Sequence, residues 1–527
     1  MSSTDPNADS SSDCQPDLIE LRVFESRAAA ICETMGAVLC RSAFSPNIRD
    51  RLDFSCALFS ADGRLLSQAT HIPVHLGSMA WAMRDLVGKY DWQPGARLML
   101  NDPYAGGTHL PDVTVISPVF EGGQCVGFVA NRAHHADIGS TTPGSMPLSR
   151  SLDEEGVLIR PQWLYRNGRI DRGVLDGICS GMRNPELSAG DFQAQVAASA
   201  FGEKAFGALV AELGCERLHA FSQALNEYAG RLASASISDL PEGCWRATDR
   251  MDCDGAGGDG PEIRVALTVA AGRIEVDFDG TDDQVPGNLN CPMSVTAAAV
   301  YYALRCLLPD ETPTCAGALD CMHLSAPEGC LVNARPPAAT AAGNVETSQR
   351  IVDVVFSALA EALPDRIAAA SQGTMNNLGL GGERWSYYET MAGGCGATVD
   401  TPGRHAVHSH MTNTLNTPAE VLEMNFPLRI LRYQFRRGSG GRGKCAGGDG
   451  LIREFEFLES AQATLITERR ANAPWGLAGG ESGRTGRNLL DGRELPSKIS
   501  LNVEAGQVLT IETPGGGGHG EPKTPAA

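Results

Sequence analysis

Apolar residues recur at helical spacing from Leu18 through Leu39, and Pro46 closes the run, so the pattern predicts a long helix over 18–45. The period then changes. Short apolar runs at 54–59 and 65–67 flank the turn residues Ala61-Asp62-Gly63 and read as a hairpin. A helix over 77–89 and a short strand over 97–100 follow, leading into NDPYAGGTHLPD. The runs at 112–120 and 127–134, joined by EGGQC, predict a second hairpin. An alanine-rich helical stretch covers 187–234, alternation at 245–279 marks a β-rich module, and helices are expected at 294–308 and 351–368. From residue 428 onward short strand patterns are separated by glycine clusters, and no fixed-period repeat emerges. The fold class expected is mixed α/β (α+β) and multi-domain: a disordered tail over 1–16, an α/β unit over 17–240, a central α/β unit over 241–427 and a β-rich, glycine-dense unit over 428–527.

Composition sharpens this picture. A chain of 527 residues with a hydrophobic fraction of 42% can bury several cores, at about 150 residues per domain. Its 60 glycines and 6% aromatics favour tight turns and close backbone approaches over helical bundles. The net charge of −20, without a basic block, argues against nucleic acid or an anionic membrane as partner. No apolar stretch reaches the length of a membrane span, the first residues lack the apolar core of a secretory signal, and the 16 cysteines form no C-x-x-C pair. A cytoplasmic protein with reduced thiols is expected.

The densest chemistry lies between Asn101 and Asp137. His109 and Asp112 are three apart at the mouth of one predicted strand, and His134, His135 and Asp137 stand at the end of the strand expected to pair with it. Two imidazoles and a carboxylate gathered there suit a divalent transition metal, Zn²⁺, Mn²⁺ or Fe²⁺, because nitrogen donors disfavour Mg²⁺ and Ca²⁺. Alternation sends His134 and His135 to opposite faces. A two-residue turn at Gly122-Gly123 places Ala133 opposite Asp112 and favours His135; a bulge, or a strand ending at Ala133, favours His134. Asp53, at the head of an apolar strand, reads as a turn cap, and His71 and His75 read as structural because Pro73 between them argues against a helix. His405, His408 and His410 could form a second polar site. The segment GTMNN followed by YYET offers a substrate-facing polar patch, with Asn376, Asn377 and Glu389 as its candidates. GSGGRGKC over 438–445 fits G-x-x-x-x-G-K but ends in Cys and runs into a predicted strand, so it is rejected as a nucleotide site.

Long ordered segments then carry a resemblance: RLDFSCALF, HIPVHLGSM, NDPYAGGTHLPDVTVISPVF, RAHHADIGSTTPGSMP, AGNVETSQRIVD, SQGTMNN, YYET, HMTNTLNTPAEVLE, SGGRGK and ERR. Together they resemble the hydantoinase B/oxoprolinase subunit family, which includes subunits of ATP-dependent ketone carboxylases. The resemblance implies a partner A subunit with an actin-like fold that binds ATP and phosphorylates the substrate. The B subunit would hold the divalent metal and complete hydrolysis of a cyclic amide such as a hydantoin, 5-oxoproline or a lactam. The family's metal ligands fall on His109, Asp112 and His134, with Asp53 nearby, while Asp53, His135 and Asp137 become catalytic candidates that orient ligands or move protons. Glu155 and Gly156 stand at the family's acidic-glycine position, within altered flanks. A hetero-oligomer follows, as do two alternatives: a ketone carboxylase subunit, or a non-catalytic scaffold.

Overall fold

Asp17 caps the first helix, accepting from the Glu20 amide while the Glu20 carboxylate accepts from the Asp17 amide, a reciprocal box that fixes the start of α1 (Leu18–Ser42). This is seen in a computed structural model, which describes residues 16–69 and 71–522; of the tail expected over 1–16, all but Pro16 lies outside the described residues. A short helix, α2 (Pro46–Arg49), leads into β1 (Phe54–Ser60) and β2 (Leu65–Gln68). Pro73 does not break a helix here but opens one. It occupies the first turn of α3 (Pro73–Leu86), where a missing N–H costs nothing, so the expectation of no helix around His75 is corrected.

Strands β3 (Arg97–Leu100), β4 (Asp112–Glu121), β5 (Gln124–His134), β6 (Gln162–Arg166) and β7 (Arg169–Ile170) complete an antiparallel sheet of order β2-β1-β5-β4-β3-β6-β7. Helix α4 (Arg172–Cys179) follows, and the alanine-rich stretch is two helices, α5 (Pro185–Leu213) and α6 (Cys215–Ser238), parted at Gly214. Helices α1 and α5 cover one face of the sheet, and α3 packs on Ala57, Phe59, Phe128 and Ala130 of the other.

A second sheet, ordered β11-β10-β9-β8, contains β8 (Gly243–Arg250), β9 (Glu262–Ala270), β10 (Arg273–Asp277) and β11 (Met322–Ser325). Between it and the first sheet lie α7 (Met293–Arg305), against α3, and α8 (Ser348–Ala362), against β8 and β9. One apolar cluster runs from Leu21 of α1 through α6, α7 and α8 to Ile466.

The last third holds two more sheets. One has the order β13-β12-β16-β19, with β12 (Asn377–Gly381), β13 (Ser386–Glu389), β16 (Ala461–Ile466) and β19 (Lys498–Val503). The other has the order β14-β15-β20-β17-β18, with β14 (Leu428–Arg436), β15 (Gly450–Phe457), β17 (Arg487–Leu490), β18 (Arg493–Leu495) and β20 (Val508–Glu512). A short helix, α9 (Ala419–Asn425), precedes β14, and the two sheets share a core that includes Leu378, Leu465, Phe455 and Ile511. The G-x-x-x-x-G-K segment is part of the loop from β14 to β15, with no helix N-terminus after it. A buried ion network joins this region to the second sheet: Arg350 bonds Asp249 at 3.0 Å and Glu468 at 3.1 Å, Arg469 pairs with Asp249 and Asp353, and Lys498 pairs with Glu468.

Of the tight turns and close backbone approaches expected of the glycines, the C-terminal clusters show above all the close approaches. Segments 393–397, 439–448, 474–483 and 514–520 lie side by side and exchange backbone hydrogen bonds outside any regular ladder, such as Gly394 N to Pro514 O and Gly516 N to Gly448 O. They approach so closely that a Cβ on Gly516 would sit 2.0 Å from the Cys395 carbonyl oxygen. The described residues thus form a mixed helix-and-sheet protein of several sheets, and none of their helices is long and apolar enough to cross a membrane.

Candidate metal centre

The centre is built on the β4–β5 hairpin. Gly122 and Gly123 take positive φ angles of 57° and 83°, the two-residue turn that hairpins favour. Pairing starts regularly at Glu121↔Gln124 and Phe120↔Cys125, then shifts to Val119↔Gly127, leaving Val126 as a bulge. Asp112 therefore stands directly opposite His134, on the face that carries α3. The turn and the bulge, alternatives from sequence alone, occur together.

His109 closes the loop before β4, with its carbonyl accepting from the Asp112 amide. Its Nε2 lies 3.3 Å from Asp112 Oδ2, and its ring centroid is 5.1 Å from that of His134. One donor atom from each of His109, Asp112 and His134 falls within 4.8 Å of the other two, and all three residues are buried. The hydrogen bonds around the three residues bear on which atoms a cation could meet. His109 Nδ1 faces the Ala341 carbonyl at 3.3 Å, which fixes the proton there and leaves Nε2 with a lone pair. His134 Nδ1 lies 3.1 Å from Asn47 Nδ2; for Nε2 to meet a cation the ring must carry its proton on Nδ1, with the Asn47 amide turned to present its oxygen. Asp112 Oδ2 accepts from Thr108 Oγ1 at 2.6 Å and from Asn344 Nδ2 at 3.3 Å. His109 Nε2, His134 Nε2 and Asp112 Oδ1 are buried atoms without a partner. Three convergent orphan donors of this chemistry fit a divalent transition metal.

His75, read from sequence as structural, belongs to this group. Its Nε2 is 3.2 Å from Asp112 Oδ2 and its Nδ1 3.2 Å from Ser55 Oγ. Burial opposes charge on Asp112, yet His75 and His109 outweigh it and hold the carboxyl well below the usual range. Burial also opposes protonation of His109, but the Asp112 carboxylate overrides it and raises that imidazole. His134 is lowered by burial, with Asp112 offsetting only part of it. Asp53 is pushed up by burial against the pull of Arg51 and His75; its carbonyl accepts from the His134 amide, and its carboxylate lies 3.8 Å from Arg51.

The other sequence candidates sit elsewhere. His135 turns to the opposite face, with Nε2 3.0 Å from Gln195 Oε1 and its ring over Phe192 of α5. Asp137 accepts from the Gly139 and Arg183 amides and so closes a loop. Glu389 is committed to a buried pair with Arg453 and to the Thr417 amide, and Asn376 bonds Gln372, Met391 and Arg470. Asn377 does connect to the centre. It accepts from the Tyr388 hydroxyl at 2.7 Å, and the Tyr388 ring stacks on His134 at 4.9 Å and 3°. Its amide also donates to Glu346 Oε1 at 2.6 Å. Glu346 sits in a π-helical turn, Gly343–Thr347, that leads into α8 and also carries Asn344. Burial and the nearby Glu468 push it up to about 8, and its Oε2 has no partner. His405 accepts from the Asp449 amide, and His410 lies 3.7 Å from Asp353, so the second histidine group is not part of this cluster.

A family model described as Hydantoinase B/oxoprolinase matches residues 17–522. The chain belongs to this family. Among its hydantoinase B/oxoprolinase relatives, an uncharacterized protein of Methanocaldococcus jannaschii is 39% identical across 96% of this chain and 91% of its own length. 5-Oxoprolinase 1 of Arabidopsis thaliana is also 39% identical, but the chain spans only 42% of that protein. A putative B-type D-/L-hydantoinase subunit of a Pseudomonas strain is 31% identical over 96% of this chain and 90% of its own. Among solved structures, the ATP-dependent caprolactamase of Pseudomonas jessenii superposes with a TM-score of 0.90 at 26% identity, covering 96% of this chain and 91% of that one. An acetone carboxylase superposes at 0.87 over 95% and 75%, and at 19% identity this is a likeness of fold. Tyr388, Glu346 and Asn344 lie in the segments YYET and AGNVETSQR that carried the family resemblance, which was the available sign of their importance; His75 lies in HIPVHLGSM.

Proposed function

We propose that this chain is the B-type component of an ATP-dependent enzyme that opens a small cyclic amide after a partner chain, of the hydantoinase A type, has phosphorylated its carbonyl oxygen. The observation that carries the reading is the convergence of His109, Asp112 and His134 at the open end of the β4–β5 hairpin, each with one ligand atom within 4.8 Å of the other two and each with a buried side-chain atom that lacks a hydrogen-bond partner. The family assignment supports the reaction class, and the greater length of the 5-oxoprolinases supports an ATP-using portion outside this chain. Amide resonance makes a lactam carbonyl a poor electrophile, and phosphorylation converts its oxygen into a leaving group. A bound Zn²⁺ or Mn²⁺ would polarise the carbonyl and lower the pKa of water.

The chain's own residues prepare that chemistry. His109, Asp112 and His134 hold the ion. His75, Thr108 and Asn344 occupy Asp112 Oδ2 and so leave Oδ1 for it. Tyr388, anchored through Asn377, fixes the plane of His134. Asp53, whose carbonyl accepts from the His134 amide just before β1 and whose carboxyl is raised by burial, would take up or release a proton.

The test is elemental analysis of the chain co-expressed with an A-type partner, followed by ATP-dependent turnover of 5-oxoproline, hydantoin and caprolactam. Stoichiometric metal and ring opening are expected, both lost in His109→Ala. Full turnover after metal loss would remove the site from the mechanism. Bicarbonate-dependent ATP use with acetone in place of ring opening would assign the carboxylase branch, and absence of metal would leave a scaffold. The relatives named 5-oxoprolinase and hydantoinase, at 31–39% identity, favour the hydrolytic arm.

A further inference from the structure

Glu155 is fully buried, and its contacts are all to neutral groups. Its Oε1 accepts from Ser149 Oγ at 2.7 Å, the Thr340 amide at 2.9 Å and the Ala341 amide at 2.8 Å; its Oε2 lies 3.3 Å from Thr340 Oγ1. A buried carboxylate without a cation is expensive, so its neighbours should show what it secures. The next residue, Gly156, has φ 134°, and a Cβ there would meet the Ile138 carbonyl oxygen at 2.6 Å, so the pair Glu155-Gly156 is held in place by backbone that only glycine permits.

The two amides that Glu155 grips stand at the start of the helical run that begins at Ala341, passes through the π turn and continues as α8. Free N–H groups at a helix start welcome a carboxylate. The same Ala341 whose amide is held offers its carbonyl to His109 Nδ1, and Asn344, one turn on, bonds Asp112.

We infer that Glu155 is a positioning residue for the metal centre, acting through the Thr340–Ala341 backbone to aim the carbonyl that fixes the Nδ1–H tautomer of His109. The inference rests on the metal-site reading above, but its first readout does not. Two substitutions separate geometry from charge. Glu155→Gln keeps an acceptor at Oε1 and can donate to Thr340 Oγ1, whereas Glu155→Asp keeps the charge but withdraws it by one methylene.

In metal-free chain labelled with ¹⁵N-histidine, held at a pH high enough to keep the His109 ring neutral and with its signal assigned through His109→Asn, the Nδ1–H tautomer is expected in wild type and Glu155→Gln, and a shift toward Nε2–H in Glu155→Asp. Zn²⁺ titration should show Glu155→Gln unchanged and Glu155→Asp weakened by about 10- to 100-fold, the usual effect of losing a group that orients a ligand. Ser149→Ala, which removes one donor to the same oxygen, should move both readouts in the same direction but less, and it stands in if Glu155→Asp does not fold. An unchanged tautomer and affinity in the aspartate and alanine variants would overturn the inference. So would a loss in Glu155→Gln at least as large as that in Glu155→Asp, because placement of the acceptor would then not account for the effect. A wild-type chain that binds no Zn²⁺ yet shows the Nδ1–H tautomer would overturn the metal reading and leave the positioning role standing.

Discussion

The proton on His109 and the proposed metal compete for the same cluster. The Asp112 carboxylate raises the imidazole above its ordinary value of about 6.5, so metal uptake has to displace a proton that the ring holds more firmly than a free imidazole does. Zn²⁺ affinity is therefore expected to fall as pH drops below neutrality, with proton release on binding. Competition titrations at several pH values check this, and a flat profile would contradict it. Glu346 gives a second, separate pH signature. Burial pushes it up to about 8 in the folded chain, against about 4.3 when unfolded, so across that window the folded state keeps a proton the unfolded state has lost. Its contribution to stability therefore declines as pH rises through the window. Glu346→Gln preserves an acceptor for Asn377 and Met375 and lacks this titration. Its melting temperature relative to wild type should climb between about pH 5 and about pH 8. A constant difference would show that Glu346 is not the group responsible.

At the scale of elements, the position of His75 depends on how closely α3 approaches α7. A Cβ on Gly77 would stand 2.5 Å from the Ala298 Cα, so this glycine lets the two helices touch backbone to backbone. Gly77→Ala should push α3 outward, cost about 1–3 kcal/mol as an overpacking change and draw His75 from Asp112, lowering melting temperature and metal affinity together. The pair Gly77→Ala with Ala298→Gly should recover part of both; no recovery would place the effect elsewhere. The hairpin of β4 and β5 and its Gly122-Gly123 turn were legible in the sequence because turn chemistry and alternation are local. The bulge at Val126 was not, since the partner strand decides whether an extra residue is absorbed, and that choice alone separates His134 from His135. Pro73 misled because the same residue that breaks a helix interior suits its first turn, and only tertiary packing says which applies. The π turn that brings Asn344 and Glu346 to the site leaves no periodic trace, as it is one irregular turn defined by what Asn344 touches.

At the scale of the whole molecule, the glycine count announces close backbone approaches as well as turns, and the C-terminal clusters use their glycines mainly for the former. Gly516 lies at the middle of this arrangement, bonded to Gly448 through its N–H and to Gly441 through its carbonyl, with the Cys395 carbonyl against its Cα. A methyl group there would be 2.0 Å from that oxygen and 2.2 Å from its carbon, and the strand is tied on both sides, so neither chain can retreat without losing hydrogen bonds. The cost of Gly516→Ala should exceed the ordinary overpacking penalty of about 1–3 kcal/mol. The damage should reach the metal centre too, because Gln372, which bonds Gly394 in the same bundle, also holds Asn376 beside the β12–β13 pair that carries Asn377 and Tyr388. Gly177, exposed on α4 with open space around it, is the counterpart: alanine there should stabilise the helix by up to about 1 kcal/mol. One chemical change at two glycines is thus expected to move the melting temperature in opposite directions. In Gly516→Ala, amide hydrogen exchange should accelerate first over 393–397, 439–448 and 514–518. Equal stability of the two variants would mean that the bundle accommodates side chains and that its glycines are not what joins the C-terminal sheets to the site.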